Sequence, residues 1–230
     1  MSTCLPRRQA LLLGATSLLA ACASPTPPAH PEAWHEFALP GKRRNRYRSV
    51  LKEGRMAFEA VSDRSASLWR RRLSIPAERV GRVNFSWWVE GLLADADVSD
   101  SAREDAVARV IFGFDGDHRR LSGATRAQFE LAELLTGERP PYATLMYVWE
   151  RQAPLEAVIT NPRSDRIRKI VLDSGPGQLG RWRDHHRYLA QDFERAFGEP
   201  PGDLVSVAFM TDSDNTRGKA RSWYGPLSFS

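Results

Sequence analysis

The body of this chain has no cysteine. Both cysteines of the 230 residues, Cys4 and Cys22, lie near the N-terminus, so no disulfide can staple the remainder and no thiolate is there to ligate zinc. Long apolar runs are missing too: the leader's run, residues 10–19, is too short to cross a bilayer as a stable helix. There is no G-x-S-x-G elbow, phosphate-binding glycine loop, dinucleotide fingerprint or metal-spaced histidine motif. Nucleophilic hydrolysis, nucleotide chemistry and zinc catalysis therefore have no support. Charge of one sign is not in large excess either. Lys and Arg number 33 against 28 Asp and Glu, a formal +5 to which Arg7 and Arg8 of the leader contribute, and so near-neutral a balance does not suggest a nucleic-acid partner, and none is expected. No low-complexity break divides the chain after its first few dozen residues, so residues 34–230 are expected to form one domain.

Residues 1–21 have the order of an export leader: Arg7 and Arg8, the apolar run, then small residues. Leu19, Ala20, Ala21 and Cys22 are similar to the lipobox of bacterial lipoproteins, and the resemblance implies a lipid anchor on Cys22, the first residue of the mature chain. Ala23 after that cysteine, where sorting to the inner membrane uses aspartate, implies an outer-membrane protein facing the periplasm. Residues 22–33 are then the lipidated cysteine and a proline-rich tether. At ~3.1 Å per residue, about 11 residues of polyproline-like chain reach roughly 30 Å from the membrane.

From residue 34 onward, short runs rich in valine and aromatics alternate with turn-rich connections, the pattern of a mainly β chain. In residues 83–89 the alternation puts Val83, Phe85, Trp87 and Val89 on one face and Trp88 on the other. Residues 204–210 are almost wholly apolar, as in a strand buried on both faces. Two helices are expected. In residues 126–135, Ala127, Leu131, Leu134 and Leu135 have helical spacing; in residues 182–197, Leu189, Phe193 and Phe197 recur every fourth position ahead of Gly198. His185 and His186 would then be a surface pair on the second helix. Roughly seven to ten strands with one or two short inserted helices predict a jelly-roll-like antiparallel β-sandwich.

The densest chemistry follows residue 210. Thr211, Asp212, Ser213, Asp214, Asn215 and Thr216 place oxygen-bearing side chains in succession before Gly218 turns the chain towards Trp223 and Tyr224. Such a loop can hydrogen-bond ligand hydroxyls, hold calcium on Asp212 and Asp214, or cap itself as an Asx turn. An EF-hand is excluded, because Arg217 stands where its glycine belongs and Trp223 where its bidentate glutamate belongs. Asp212 or Asp214 with Glu104 or Asp105 would supply the two carboxylates of a glycosidase. Arg109 lies mid-strand among Val107, Val110, Ile111 and Phe112, and a charge buried there needs an acid beside it. Asp212 or Asp214 is the expected partner.

Asp105, Ala108 and Arg109, then Tyr147, Val148 and Trp149, then Asn161 and Pro162, Gly180 and Trp182, and finally Thr211, Asp212, Asp214, Asn215 and Thr216 ahead of Trp223 and Tyr224 form a dispersed pattern. Over residues 37–229 it resembles a bacterial family catalogued as a domain of unknown function, number 3047. That family carries no established activity. Its general look is similar to galactose-binding and carbohydrate-binding-module-like jelly rolls, which implies fold and not function. The expectation is an envelope lipoprotein that binds a polar ligand, a glycan, without catalysis and without a required cofactor. Its ligand residues are expected to be Asp212, Asp214, Asn215, Asn161 and Arg109 with the aromatics Tyr147, Trp149 and Trp223. The alternatives are a structural or protein-interaction component of the envelope and a carboxylate-dependent glycan-active enzyme. The oligomeric state is left open.

Overall fold

A computed structural model describes residue 1 and residues 33–230. The leader, Cys22 and nearly all of the tether lie outside the described residues. The elements in order are β1 (His35–Ala38), β2 (Arg46–Lys52), β3 (Arg55–Asp63), β4 (Ser67–Ile75), β5 (Arg82–Val89), β6 (Ala108–Phe114), α1 (Gly123–Thr136), β7 (Ala143–Glu150), β8 (Val158–Asn161), β9 (Ser164–Ser174), β10 (Trp182–Tyr188), α2 (Leu189–Phe197), β11 (Leu204–Met210), β12 (Lys219–Tyr224) and β13 (Ser228–Phe229). They form a seven-stranded sheet in the order β1-β4-β11-β6-β7-β9-β8, facing a six-stranded sheet in the order β10-β5-β12-β3-β2 with β13 also on β5. This is the expected jelly-roll-like sandwich. One pairing departs from antiparallel: β7 and β9 run parallel, because β8 takes the outer edge of β9.

The core follows from strand alternation. Phe85 and Trp87 of β5, Val110 and Phe112 of β6, Leu145, Tyr147 and Trp149 of β7, and Tyr224 of β12 meet between the sheets. Phe209 stacks on Tyr224 across the sandwich at 4.6 Å between ring centroids, and Phe85 stacks on Tyr147 at 5.6 Å. A bulge near Val205 shifts the register of β11, so Leu204 and Val207 both point into the core while Ala208 and Met210 point out the other way. β6 is therefore central and covered on both faces.

The second expected helix is half strand. Residues 182–188 are β10, paired with β5, and only Leu189–Phe197 is helical. Leu189 and Phe193 do pack into the core, as their spacing demands. In β10 the alternation is carried by polar residues: Arg183 and His185 bond Asp173 of β9, and Arg187 bonds Asp192 of α2. His185 is accordingly not a surface residue. Its ring lies 5.1 Å from Phe85 and 4.9 Å from Trp87. Helix α1 forms where expected, with Ser122 accepting from Thr125 N as its cap, but Leu131, Leu134 and Leu135 are all exposed.

A cleft on the outer face of the seven-stranded sheet

The face of this sheet turned away from the core forms the floor of a cleft of about 600 Å³, within the roughly 300–1,000 Å³ usual for ligand sites. β4 contributes Leu68 and Arg70, β11 contributes Ala208 and Met210, β6 contributes Arg109 and Ile111, and β7 contributes Met146. Helix α1 overhangs it through Gln128, Leu131 and Leu135. The loop after α1 descends onto β6 because Gly113 has no side chain: a Cβ there would lie 2.7 Å from Pro141 Cγ and 2.5 Å from Ser206 Oγ.

One end of the cleft is polar. Arg109, buried at the start of β6, meets Asp212 as expected: Nε donates to Oδ1 at 3.0 Å and Nη2 to Oδ2 at 2.9 Å. Nη2 also donates to the Glu104 carbonyl at 2.6 Å. Burial pushes the Asp212 carboxyl up to about 6, although the Arg109 charge pulls the other way. Lys169 of β9, fully buried, pairs with Glu104 at 2.7 Å and donates to the Val98 carbonyl. Burial, with the Arg109 charge, pushes its ammonium down to about 8. Asn161 donates to Glu104 as well.

The loop after β11 is held from outside, not by an Asx turn of its own. Asp105 accepts from Asn215 N at 3.2 Å and from both the amide and the hydroxyl of Thr216 at 2.6 Å. Ala106 N donates to Asp212 Oδ1 at 3.0 Å, and Asp212 N donates to the Ala106 carbonyl at 3.1 Å. Tyr224, buried beneath, donates to the Met210 carbonyl and accepts from Arg109 N. The left-handed residue of the turn is Arg217, φ 57°, while Gly218 serves close packing, since a Cβ there would lie 2.6 Å from Leu93 Cδ2.

Asp105, Asp212 and Asp214 bring carboxylate oxygens within 4.8 Å of one another. Calcium would require some six to eight oxygens. Here both Asp212 oxygens accept from a guanidinium, both Asp105 oxygens accept from the loop, and Asp214 pairs with Lys42. The donor set is satisfied by protein cations and amides and does not fit calcium. Nor does it favour acid–base catalysis by Glu104 and Asp212. Arg109 lies between them, 3.9 Å from Glu104 Oε1, and the guanidinium together with the Ala106 amide occupies both Asp212 oxygens, leaving neither turned to a bound substrate.

Asp212, Asp214, Asn215, Asn161 and Arg109 thus come together at the cleft's polar end. The aromatics expected beside them do not. Tyr147 and Trp149 point into the core, with Tyr147 donating to Asp192 at 2.6 Å and Trp149 to the Gly175 carbonyl at 3.1 Å. Trp223 lies on the outer face of the other sheet, T-shaped against Trp88 at 4.8 Å, and Lys52 covers both rings. Met146 and the α1 leucines were not anticipated in the site, nor was Lys169, which is buried behind Glu104 and does not line the cleft. Lys169 has a sequence signal, a lysine among Ile167, Ile170 and Val171, the same that marked Arg109.

A family profile described as "Protein of unknown function (DUF3047)" matches residues 32–228. The chain belongs to this family. No curated protein matches the sequence. Among solved structures, the DUF3047 chain is similar to the family 11 carbohydrate-binding module of the cellulosomal cellulase Lic26A-Cel5E of Clostridium thermocellum, at 8% identity, covering 84% of this chain and 85% of that one, with a TM-score of 0.39. It is also similar to the xyloglucanase domain of NopAA, a type three effector from Sinorhizobium fredii, at 9% identity over 86% and 92% of the two chains, TM-score 0.43. A cellulase derived from Cel12A of Rhodothermus marinus matches at 13% identity over 86% and 99%, TM-score 0.40. These are likenesses of fold. The site chemistry of the DUF3047 chain rests on its own residues.

Proposed function

We propose that this DUF3047 protein is an envelope lipoprotein that binds a hydroxyl-rich ligand, a glycan or glycan-bearing molecule, without turning it over. The observation that supports this reading best is the convergence of Asp212, Asp214, Asn215, Asn161 and Arg109 at one end of a single cleft. The buried Arg109–Asp212 pair fixes the loop, and Asp214, Asn215, Lys42 and Arg163 then line the cleft as neighbouring donors and acceptors. Hydroxyl groups, each both donor and acceptor, are met by such a mixture. In the same proposal Cys22 carries the anchor, and the domain faces the periplasm from the outer membrane.

Thermal shift and calorimetry with a panel of cell-wall and surface polysaccharides test this reading. A ligand at about 100 times its Kd stabilises the fold by roughly 2.7 kcal/mol. That gain should fall in Asp214→Ala and Asn215→Ala, which leave the buried pair intact. Silence across the panel contradicts the proposal in favour of a structural role, and release of new reducing ends contradicts it in favour of an enzyme.

A further inference from the structure

The floor of the cleft is aliphatic. Leu68, Ile111, Met146, Ala208 and Met210 cover it, and Leu131 and Leu135 overhang it while remaining 57% and 63% exposed. A sugar ring is usually gripped by flat aromatic faces, and these are nearly missing. Phe37 is the single aromatic lining residue among the described residues, and the Arg70 guanidinium sits over its ring at 4.0 Å. The charges at the polar end are matched internally: Lys42 with Asp214, Arg109 with Asp212, and both Lys169 and the more exposed Arg163 with Glu104. An ionic head group would have to break one of these pairs, whereas an uncharged, hydroxyl-bearing one would not.

On the reading that this cleft is the ligand site, we infer that its ligand is a neutral glycolipid: a sugar head at the Asp214–Asn215 end and an aliphatic chain along the floor beneath α1. The chain covers the apolar area that Leu131 and Leu135 leave open to water. The head receives its hydrogen bonds from the loop that Arg109 and Asp212 hold in place.

Calorimetry of the full chain with glucose and with n-hexyl, n-octyl and n-decyl β-D-glucoside, each below its micelle concentration, tests the assignment. Burying a methylene contributes about 0.8 kcal/mol, so affinity should rise about fourfold per added methylene until the floor is full. The double variant Leu131→Glu/Leu135→Glu, altered at exposed positions, should keep its fold and lose most of that chain-length dependence. Asn215→Ala should weaken all glucosides by one common factor. Equal affinity for glucose and decyl glucoside would overturn the glycolipid assignment and leave the proposed glycan binding intact. Failure of glucose, the glucosides and the polysaccharide panel alike would overturn both. Decanoate binding as tightly as decyl glucoside would overturn the sugar head. Two other occupants would also overturn it: a second copy, seen as a dimer that the double variant abolishes without any response to glucosides, or the chain's own residues 1–32, seen as segment cleavage by protease that rises only in the double variant.

Discussion

Arg109 of β6 and Asp212 beyond β11 meet through two parallel hydrogen bonds of 3.0 and 2.9 Å, with both side chains buried. Strand pairing places Arg109 opposite Met210, so the acid two residues further along the chain arrives beside the guanidinium as β11 ends. Breaking such a pair leaves an uncompensated buried charge. Arg109→Met is expected to destabilise the fold by about 3–5 kcal/mol, while Arg109→Met with Asp212→Leu should recover most of the loss. Urea denaturation of both variants checks this, and a single variant as stable as the wild type would remove the pair from its anchoring role.

Lys169 provides a pH signature. Its folded value of about 8 lies below the ordinary lysine value of 10.5, because burial and the Arg109 charge disfavour the ammonium. Between those two values the unfolded chain binds more protons than the folded one, so this residue's contribution to stability rises with pH across the window and is flat below it. NMR titration of the Lys169 side chain should show a midpoint near 8. In Lys169→Met the corresponding slope of stability with pH should vanish; an unshifted midpoint near 10.5 would contradict the buried environment.

Glu138, just after α1, accepts from Arg70 at 3.0 and 2.8 Å and also pairs with Arg72, tying the helix end to β4 across the cleft. Burial opposes ionisation of Glu138, but the two arginines hold its carboxyl below the usual glutamate range. The contribution of this latch is therefore present above that range and is lost as pH falls through the lowered value. Glu138→Gln should speed hydrogen exchange in α1 with little change in the global melting temperature, since only Thr125 of the helix is buried. Unchanged exchange in α1 would show that the latch does not hold the helix.

The anchor is tested separately. Cys22→Ser should abolish incorporation of labelled fatty acid and leave an unprocessed precursor. Incorporation that persists in the variant would defeat the assignment of Cys22.

The sandwich was legible because apolar alternation marks strands, and the Arg109 partner was legible because a buried charge must be answered. What escaped was carried by polar residues. Residues 182–188 alternate as a strand, but the side chains reaching Asp173 and Asp192 are Arg183, His185 and Arg187, so no hydrophobic period separates them from the helix that follows. Tyr147 and Trp149 were misplaced for a different reason. Alternation groups them with Leu145 against Met146 and Val148, yet both sets are apolar, and which set faces the second sheet depends on packing that local pattern does not contain. The capping of the loop by Asp105 was likewise invisible, since it joins residues 105 and 216, far apart in sequence.

The claim that the ligand lies in this cleft is tested most directly by amide and methyl chemical-shift mapping of the isotope-labelled chain during titration with a saccharide or alkyl glucoside that binds. The account predicts saturable shifts at Asn161, Asp214 and Asn215 and at the methyls of Ile111, Met146 and Met210. Shifts confined instead to Trp88, Trp182 and Trp223 on the outer face of the six-stranded sheet would contradict it.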